Sequence, residues 1–113
     1  MKLLFDESLP FSLRDSFLKL TENYSITFVQ EKNWGGKLNG ELLSLTEKDY
    51  DVFVTCDQSL PHQQNLDDYE ITIAVLKALS NRQKDLKVLL PELVEKLQNI
   101  SSGEKLIEVS SPT

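Results

Sequence analysis

Four carboxylates, Asp6, Glu7, Glu41 and Asp57, stand where an apolar pattern ends or a helix pattern begins. Brought together, such groups can hold a hard divalent cation, which takes oxygen ligands. A cation held beside a phosphodiester can polarise it and activate water. Uncharged hydrogen-bonding groups accompany the acids. Asn39 lies two residues before Glu41, Gln58 directly follows Asp57, and Gln63-Gln64-Asn65 comes shortly after. Ser80-Asn81-Arg82 forms another polar group further on. Whether these residues meet depends on the elements that carry them.

Residues 2–5 read as a short apolar strand. Leu9-Pro10 predicts a helix start, since a proline's missing N–H costs nothing in the first turn. Leu9, Leu13, Phe17 and Leu20 recur at helical spacing, and Asn23 closes the segment. Residues 25–29, SITFV, are β-branched and aromatic and predict a second strand. Gly35-Gly36 marks a loop. Asn39-Gly40 predicts a helix start with Glu41 in the first turn, where the helix dipole favours an acid. Leu38, Leu42 and Leu45 are expected on its buried face.

Residues 51–55 predict a third strand, followed by a polar loop to about Asp68. Residues 70–79 contain the continuous apolar run 71–76, as expected of a strand covered on both faces. Leu86, Leu89, Leu90, Leu93, Leu97 and Ile100 form a helical stripe that Pro91 interrupts, which predicts a short helix and then a second one starting near the proline. Gly103 ends it, residues 105–109 predict a last strand, and 110–113 a tail. The alternation points to an open α/β sheet, mostly parallel, of about five strands in one domain over residues 1–113.

In such sheets ligands bind beyond the carboxyl ends of the strands. Asp6 and Glu7 follow the first strand, Asp57 and Gln58 the third, and Asn81 and Arg82 the fourth. Asn39 and Glu41 begin the helix after the second strand. Plainer roles compete. Asp6 and Ser8 suit a helix cap, and Asp57 suits a strand-to-loop turn. Cys56 suits a small buried apolar group, and His62 a solvated loop. Trp34 fits either a core or an exposed anchor. The amides at 63–65 fit either a solvated loop or a pocket, where Gln64 or Asn65 would turn in toward Asp57.

The chain has 113 residues, 40% hydrophobic and 27% charged, with a net charge of −6. Twelve Lys and Arg against eighteen Asp and Glu disfavour strong unaided nucleic-acid binding. An acidic balance suits a metal site. The single cysteine excludes an internal disulfide and suits a reducing compartment. No apolar run approaches the roughly 20 residues that span a bilayer. An acid at position 6 comes too early for a signal peptide. A cytoplasmic protein without membrane contact is expected.

Several segments together resemble a known family. MKLLFDESLP resembles the LLDENLP opening of PIN-like proteins related to the Mut7-C domain, and VFVTCDQSL resembles their apolar strand ending in T-x-D. A subfamily of small bacterial proteins also carries T-x-D-Q-x-L followed by QQN, as at residues 63–65. It further has an NGELL helix start, as at 39–43, and SNR followed by Asp-Leu, as at 80–82 and 85–86. The resemblance spans residues 1 to about 110. It implies a PIN-like three-layer α/β/α sandwich and a ribonuclease dependent on Mg²⁺ or Mn²⁺, with RNA as substrate. It also implies a toxin of a toxin–antitoxin pair with a cognate antitoxin protein as partner.

Carried over by position, Asp6 and Asp57 would be metal ligands and catalytic. Asn39 stands where many relatives have a third acid, and Glu41, nearby on the same helix start, would substitute. Glu7, Asn39, Gln58, Gln64, Asn65, Asn81 and Arg82 are the candidate substrate contacts. An amide at position 39 is a weaker ligand for a hard cation, which keeps a non-catalytic binding protein as an alternative. A phospho-accepting receiver domain also has acids after its first strand and an Asp after its third, but it needs a lysine ending strand five. Here that end is Glu108-Val109-Ser110. The oligomeric state is left open, a homodimer included.

Overall fold

A computed structural model describes residues 1–110 of the chain. Five strands, β1 Lys2–Phe5, β2 Ser25–Phe28, β3 Val52–Thr55, β4 Thr72–Lys77 and β5 Leu106–Ser110, form one sheet in the order β2-β1-β3-β4-β5. Every pair is parallel. The helices are α1 Ser12–Leu18, α2 Asn39–Thr46, α3 Leu60–Gln63, α4 Gln83–Lys87 and α5 Leu90–Gln98. The expected α/β class, with about five mostly parallel strands, is the one observed. The tail expected over 110–113 lies, beyond Ser110, outside the described residues.

The period-2 alternation of strands sorts the core into two faces. Leu3, Phe5, Val52, Val54, Ala74 and Leu76 point into a cluster with Leu13 and Phe17 of α1, Leu86 of α4, and Leu90, Leu93 and Leu97 of α5. Leu4, Phe53, Ile73 and Val75 point the other way, against Leu42 and Leu43 of α2 and Leu60 of α3. Both faces are therefore covered, which is why β3 and β4 read as unbroken apolar runs. Phe5 anchors the first cluster edge-on to Phe17 and Phe28, with ring centroids 6.3 and 5.4 Å apart. Leu90, Leu93, Val94 and Leu97 bury one stripe of α5, with Pro91 in its first turn.

Several boundaries differ from the sequence reading. Helix α1 begins at Ser12 rather than at Leu9-Pro10, because residues 6–9 are held in a turn by the Leu9 N–H on the Asp6 carbonyl (3.0 Å). Leu20 falls past the end of α1 and is 49% exposed. Val29 leaves the sheet for a 3-10 turn, Val29–Lys32. Leu38 precedes α2 in extended conformation and is 80% exposed, so Leu43 and Thr46 join Leu42 on the buried face instead. The loop after β3 is more ordered than polarity suggested, with α3 and a 3-10 turn at Leu66–Asp68.

Candidate functional site

A sheet ordered 2-1-3-4-5 reverses direction between β1 and β3, and that reversal opens a crevice beyond the strand ends. Asp6 follows β1 and Asp57 follows β3, so both stand at that crevice. The sheet pairing runs on to Asp6, whose N–H donates to the Val54 carbonyl at 2.9 Å. One residue joins the two acids. The Thr55 hydroxyl, wholly buried at the end of β3, donates to Asp6 Oδ2 at 2.8 Å and accepts from the Asp57 N–H at 3.0 Å.

The remaining contacts fix each carboxylate. Ser8 Oγ also donates to Asp6 Oδ2 (2.9 Å), the Glu7 N–H donates to Asp6 Oδ1 (2.8 Å), and Cys56 Sγ lies 3.2 Å from Ser8 Oγ. Asp6 therefore does not cap α1, whose N-cap is Phe11; it orders its own turn. Asp57 Oδ1 accepts from both the N–H and the hydroxyl of Ser59, at 3.0 and 2.6 Å, closing the turn into α3. Asp57 Oδ2 has no hydrogen-bond partner among the described residues.

A second wall comes from the α2 start. Glu7 turns away from Asp6 and accepts from the Gly36 N–H at 3.2 Å. Glu41 is 59% exposed and pairs with Lys37 at 3.3 Å. Asn39 is half-buried as the first residue of α2, with Leu38 rather than Asn39 in the cap position. Gln64 turns inward, as expected of a pocket amide, but toward α2: its Oε1 accepts from the Tyr69 hydroxyl at 3.4 Å and lies against Gly40. Asn65 instead caps the following 3-10 turn, accepting from the Asp67 N–H at 3.3 Å. Neither amide bonds Asp57, because each finds a nearer partner within its own loop. Gln58 and His62 are exposed.

After β4, Asn81 and Arg82 are exposed. Ser80 Oγ donates to Asp85 Oδ2 (2.5 Å) and accepts from the Arg82 N–H (3.1 Å). At the outer side of this edge Lys77 holds the Glu108 carboxyl below its usual range by direct hydrogen bonding. Trp34 is half-buried edge-on to Tyr50, a core role rather than an exposed anchor. A recess lined by Lys96, Asn99, Glu104 and Leu106 opens along β5, on the far side of β4 from Asp6 and Asp57.

Among the described residues no three His, Cys, Asp or Glu side chains gather closely enough to hold an ion by themselves. The crevice offers two carboxylates with unused lone pairs, on Asp57 Oδ2 and in part on Asp6 Oδ1. That set fits Mg²⁺ or Mn²⁺, since Mg²⁺ is usually held by one or two carboxylates while keeping several waters. Sequence reasoning left Thr55 out of the site and gave Ser8 only a capping role. The available signal was a hydroxyl at the end of a buried strand, which must find a hydrogen-bond partner. Comparison of the chain with protein-family models, curated proteins and solved structures returns no match.

Proposed function

We propose that the chain is a Mg²⁺- or Mn²⁺-dependent ribonuclease of the PIN-like class, and the toxin of a bacterial toxin–antitoxin pair. The observation that carries the catalytic part is the Asp6–Thr55–Asp57 arrangement at the crevice between β1 and β3. Asp6 and Asp57 would hold the cation, which when bound supplies Lewis-acid polarisation of a phosphoryl oxygen and of water. Thr55 and Ser8 orient Asp6, and Ser59 orients Asp57. Asn39 and Glu41 stand at the start of α2, beside the loop that carries Gln64, and would meet substrate from that side. The toxin role rests on the motif resemblance alone.

The test is cleavage of labelled single-stranded RNA by purified protein with Mn²⁺, beside Asp6→Asn and Asp57→Asn. Each change removes a charged ligand while nearly keeping shape, so each should abolish cleavage. Asn39→Asp should hold or raise it. Equal cleavage by the unmodified protein and both Asp→Asn variants would mark a contaminant. No cleavage by any would favour a non-catalytic binding protein.

One observation favours a receiver-type reading: the strand order is that of flavodoxin-type doubly wound sheets. Against it, β5 ends without a lysine, and Lys77 at the end of β4 is ion-paired to Glu108 at 2.5 Å. Incubation with acetyl phosphate and mass measurement would reveal a phosphorylated Asp57 if that reading held.

A further inference from the structure

An acidic protein that cleaves RNA must find attraction for phosphate somewhere other than its net charge. Residues 77–87 carry four cations and one acid, whereas the rest of the chain carries eight cations and seventeen acids. The lone acid, Asp85, is engaged by Ser80 and by Arg82. Lys77 is paired with Glu108, which leaves Arg82, Lys84 and Lys87. Arg82 keeps 70% of its side chain exposed despite a 3.8 Å approach to Asp85. Lys84 and Lys87 are exposed, make no ion pair among the described residues, and lie three apart in α4, on one side of the helix. Leu86 faces the opposite way, wholly buried against the sheet.

The topology sets this strip beside the carboxylates. Strand β4 pairs with β3 with Val75 opposite Thr55, so Asp57 and Lys77 leave the sheet side by side. The chain from Lys77 runs along the same edge through Leu79, 88% exposed, to Arg82 and α4. We propose that Arg82, Lys84 and Lys87 form a track for the sugar-phosphate backbone of a single RNA strand whose scissile phosphate lies at Asp6 and Asp57. This inference rests on the ribonuclease reading and gives it a direction: the strand leaves the crevice toward α4. Local positive potential of this kind raises the concentration of a polyanion at an otherwise repelling edge. An exposed apolar side chain such as Leu79 offers contact to an unstacked base.

The test is fluorescence anisotropy of a labelled single-stranded RNA of about 20 nucleotides in EDTA, which reads the track without the cation. The variants are Lys84→Gln/Lys87→Gln and a control, Lys19→Gln/Lys48→Gln. The control lowers the charge equally at exposed positions past the ends of α1 and α2, which lead back to the amino ends of β2 and β3 and so lie at the opposite edge of the sheet. The α4 pair should weaken binding at least about fivefold and reduce the salt slope by about 1.4, two contacts at about 0.7 each for a single strand. The control should change affinity less than about twofold. Absence of binding by the unmodified protein, equal losses in both variants, or an unchanged salt slope in the α4 pair would overturn the track. Circular dichroism melts of both variants confirm that each is folded. Hydrolysis of bis(p-nitrophenyl) phosphate by the unmodified protein with Mn²⁺ reads the cation site independently, so failure there counts against the nuclease reading and failure of the anisotropy result against the track.

Discussion

Thr55→Val removes one hydroxyl and nearly preserves volume at a residue with no exposed surface. That hydroxyl makes two bonds, a donation to Asp6 Oδ2 at 2.8 Å and an acceptance from the Asp57 N–H at 3.0 Å. The first is to a charged group and contributes about 1.5–3 kcal/mol; the second, between neutral groups, about 1 kcal/mol. Asp6 and Asp57 are each half-exposed, so water recovers part of both. The expected destabilisation is about 2–3 kcal/mol. For a domain of this length that is a fall in Tm of about 8–12 °C. Thr55→Ser keeps the hydroxyl and loses one buried methyl, which costs about 1 kcal/mol.

The assay is thermal and urea unfolding of both variants, with Mn²⁺ titration followed by electron paramagnetic resonance. The stability order should be unmodified, Ser, then Val. Mn²⁺ affinity should fall about tenfold or more in the Val variant, as for loss of a residue that orients a metal ligand, and stay near normal in the Ser variant. If Val unfolds no more easily than Ser, the hydroxyl does not tie the two strand ends together. A Val variant that is less stable yet binds Mn²⁺ normally would confine Thr55 to a structural role.

Three further outcomes follow from features other than the Asp6–Thr55–Asp57 arrangement. Glu31 has its carboxyl pulled below its ordinary range, first by the Phe28 N–H at 2.8 Å and further by Arg14, with burial opposing both. A lowered folded-state value contributes stability that is present above the unfolded value, about 4.3, and is lost as pH falls through the folded one. Glu31→Gln should therefore cost less than about 1 kcal/mol at neutral pH, since the group is 40% exposed, and progressively less as the pH falls below the unfolded value; urea unfolding at pH 7 and pH 3.5 checks this. Gly36 has φ +83° and donates to Glu7, so Gly36→Ala should destabilise by about 1 kcal/mol. Gly40 sits inside α2 with room for a Cβ at 3.4 Å from Gln64 Oε1, so Gly40→Ala should stabilise by about 0.5–1 kcal/mol in the same melts.

The strands were legible because burial on both faces leaves an unmistakable pattern: Val52-Phe53-Val54 and the run through Leu76 admit few polar atoms. The helix stripe across Pro91 was legible for a similar reason, with α4 and α5 on either side of the expected break. Helix starts were less so. Leu9 is buried at helical spacing from Leu13 and Phe17, yet it belongs to a turn, because periodicity records which side chains are buried and not the backbone that presents them. The carboxyl-edge placement of Asp6, Asn39, Glu41 and Asp57 followed from the alternation of strands and helices in a parallel sheet. Side-chain direction did not, since it is decided by which partners the folded chain brings within reach. Glu7 meets Gly36 and Gln64 meets Tyr69, and nothing in the composition of either segment specifies those pairs.

Asp57 serves a turn, and its geometry leaves the other role weighed from the sequence, membership of a site, compatible with that use. A carboxylate has two oxygens with about four acceptor positions. Oδ1 accepts two bonds from Ser59 and thereby closes the turn into α3. That use fixes the side-chain torsions and leaves Oδ2 without a partner among the described residues. Asp6 shows the same division: three donors hold it, two on Oδ2 and one on Oδ1, which keeps a lone pair. A group held this way loses little rotamer freedom on gaining a ligand, so ordering costs it less than it would a free surface acid. On the proposed reading, turn formation and ligand presentation are compatible uses of one carboxylate, and the turn would supply the rigidity that a cation site of only two acids requires.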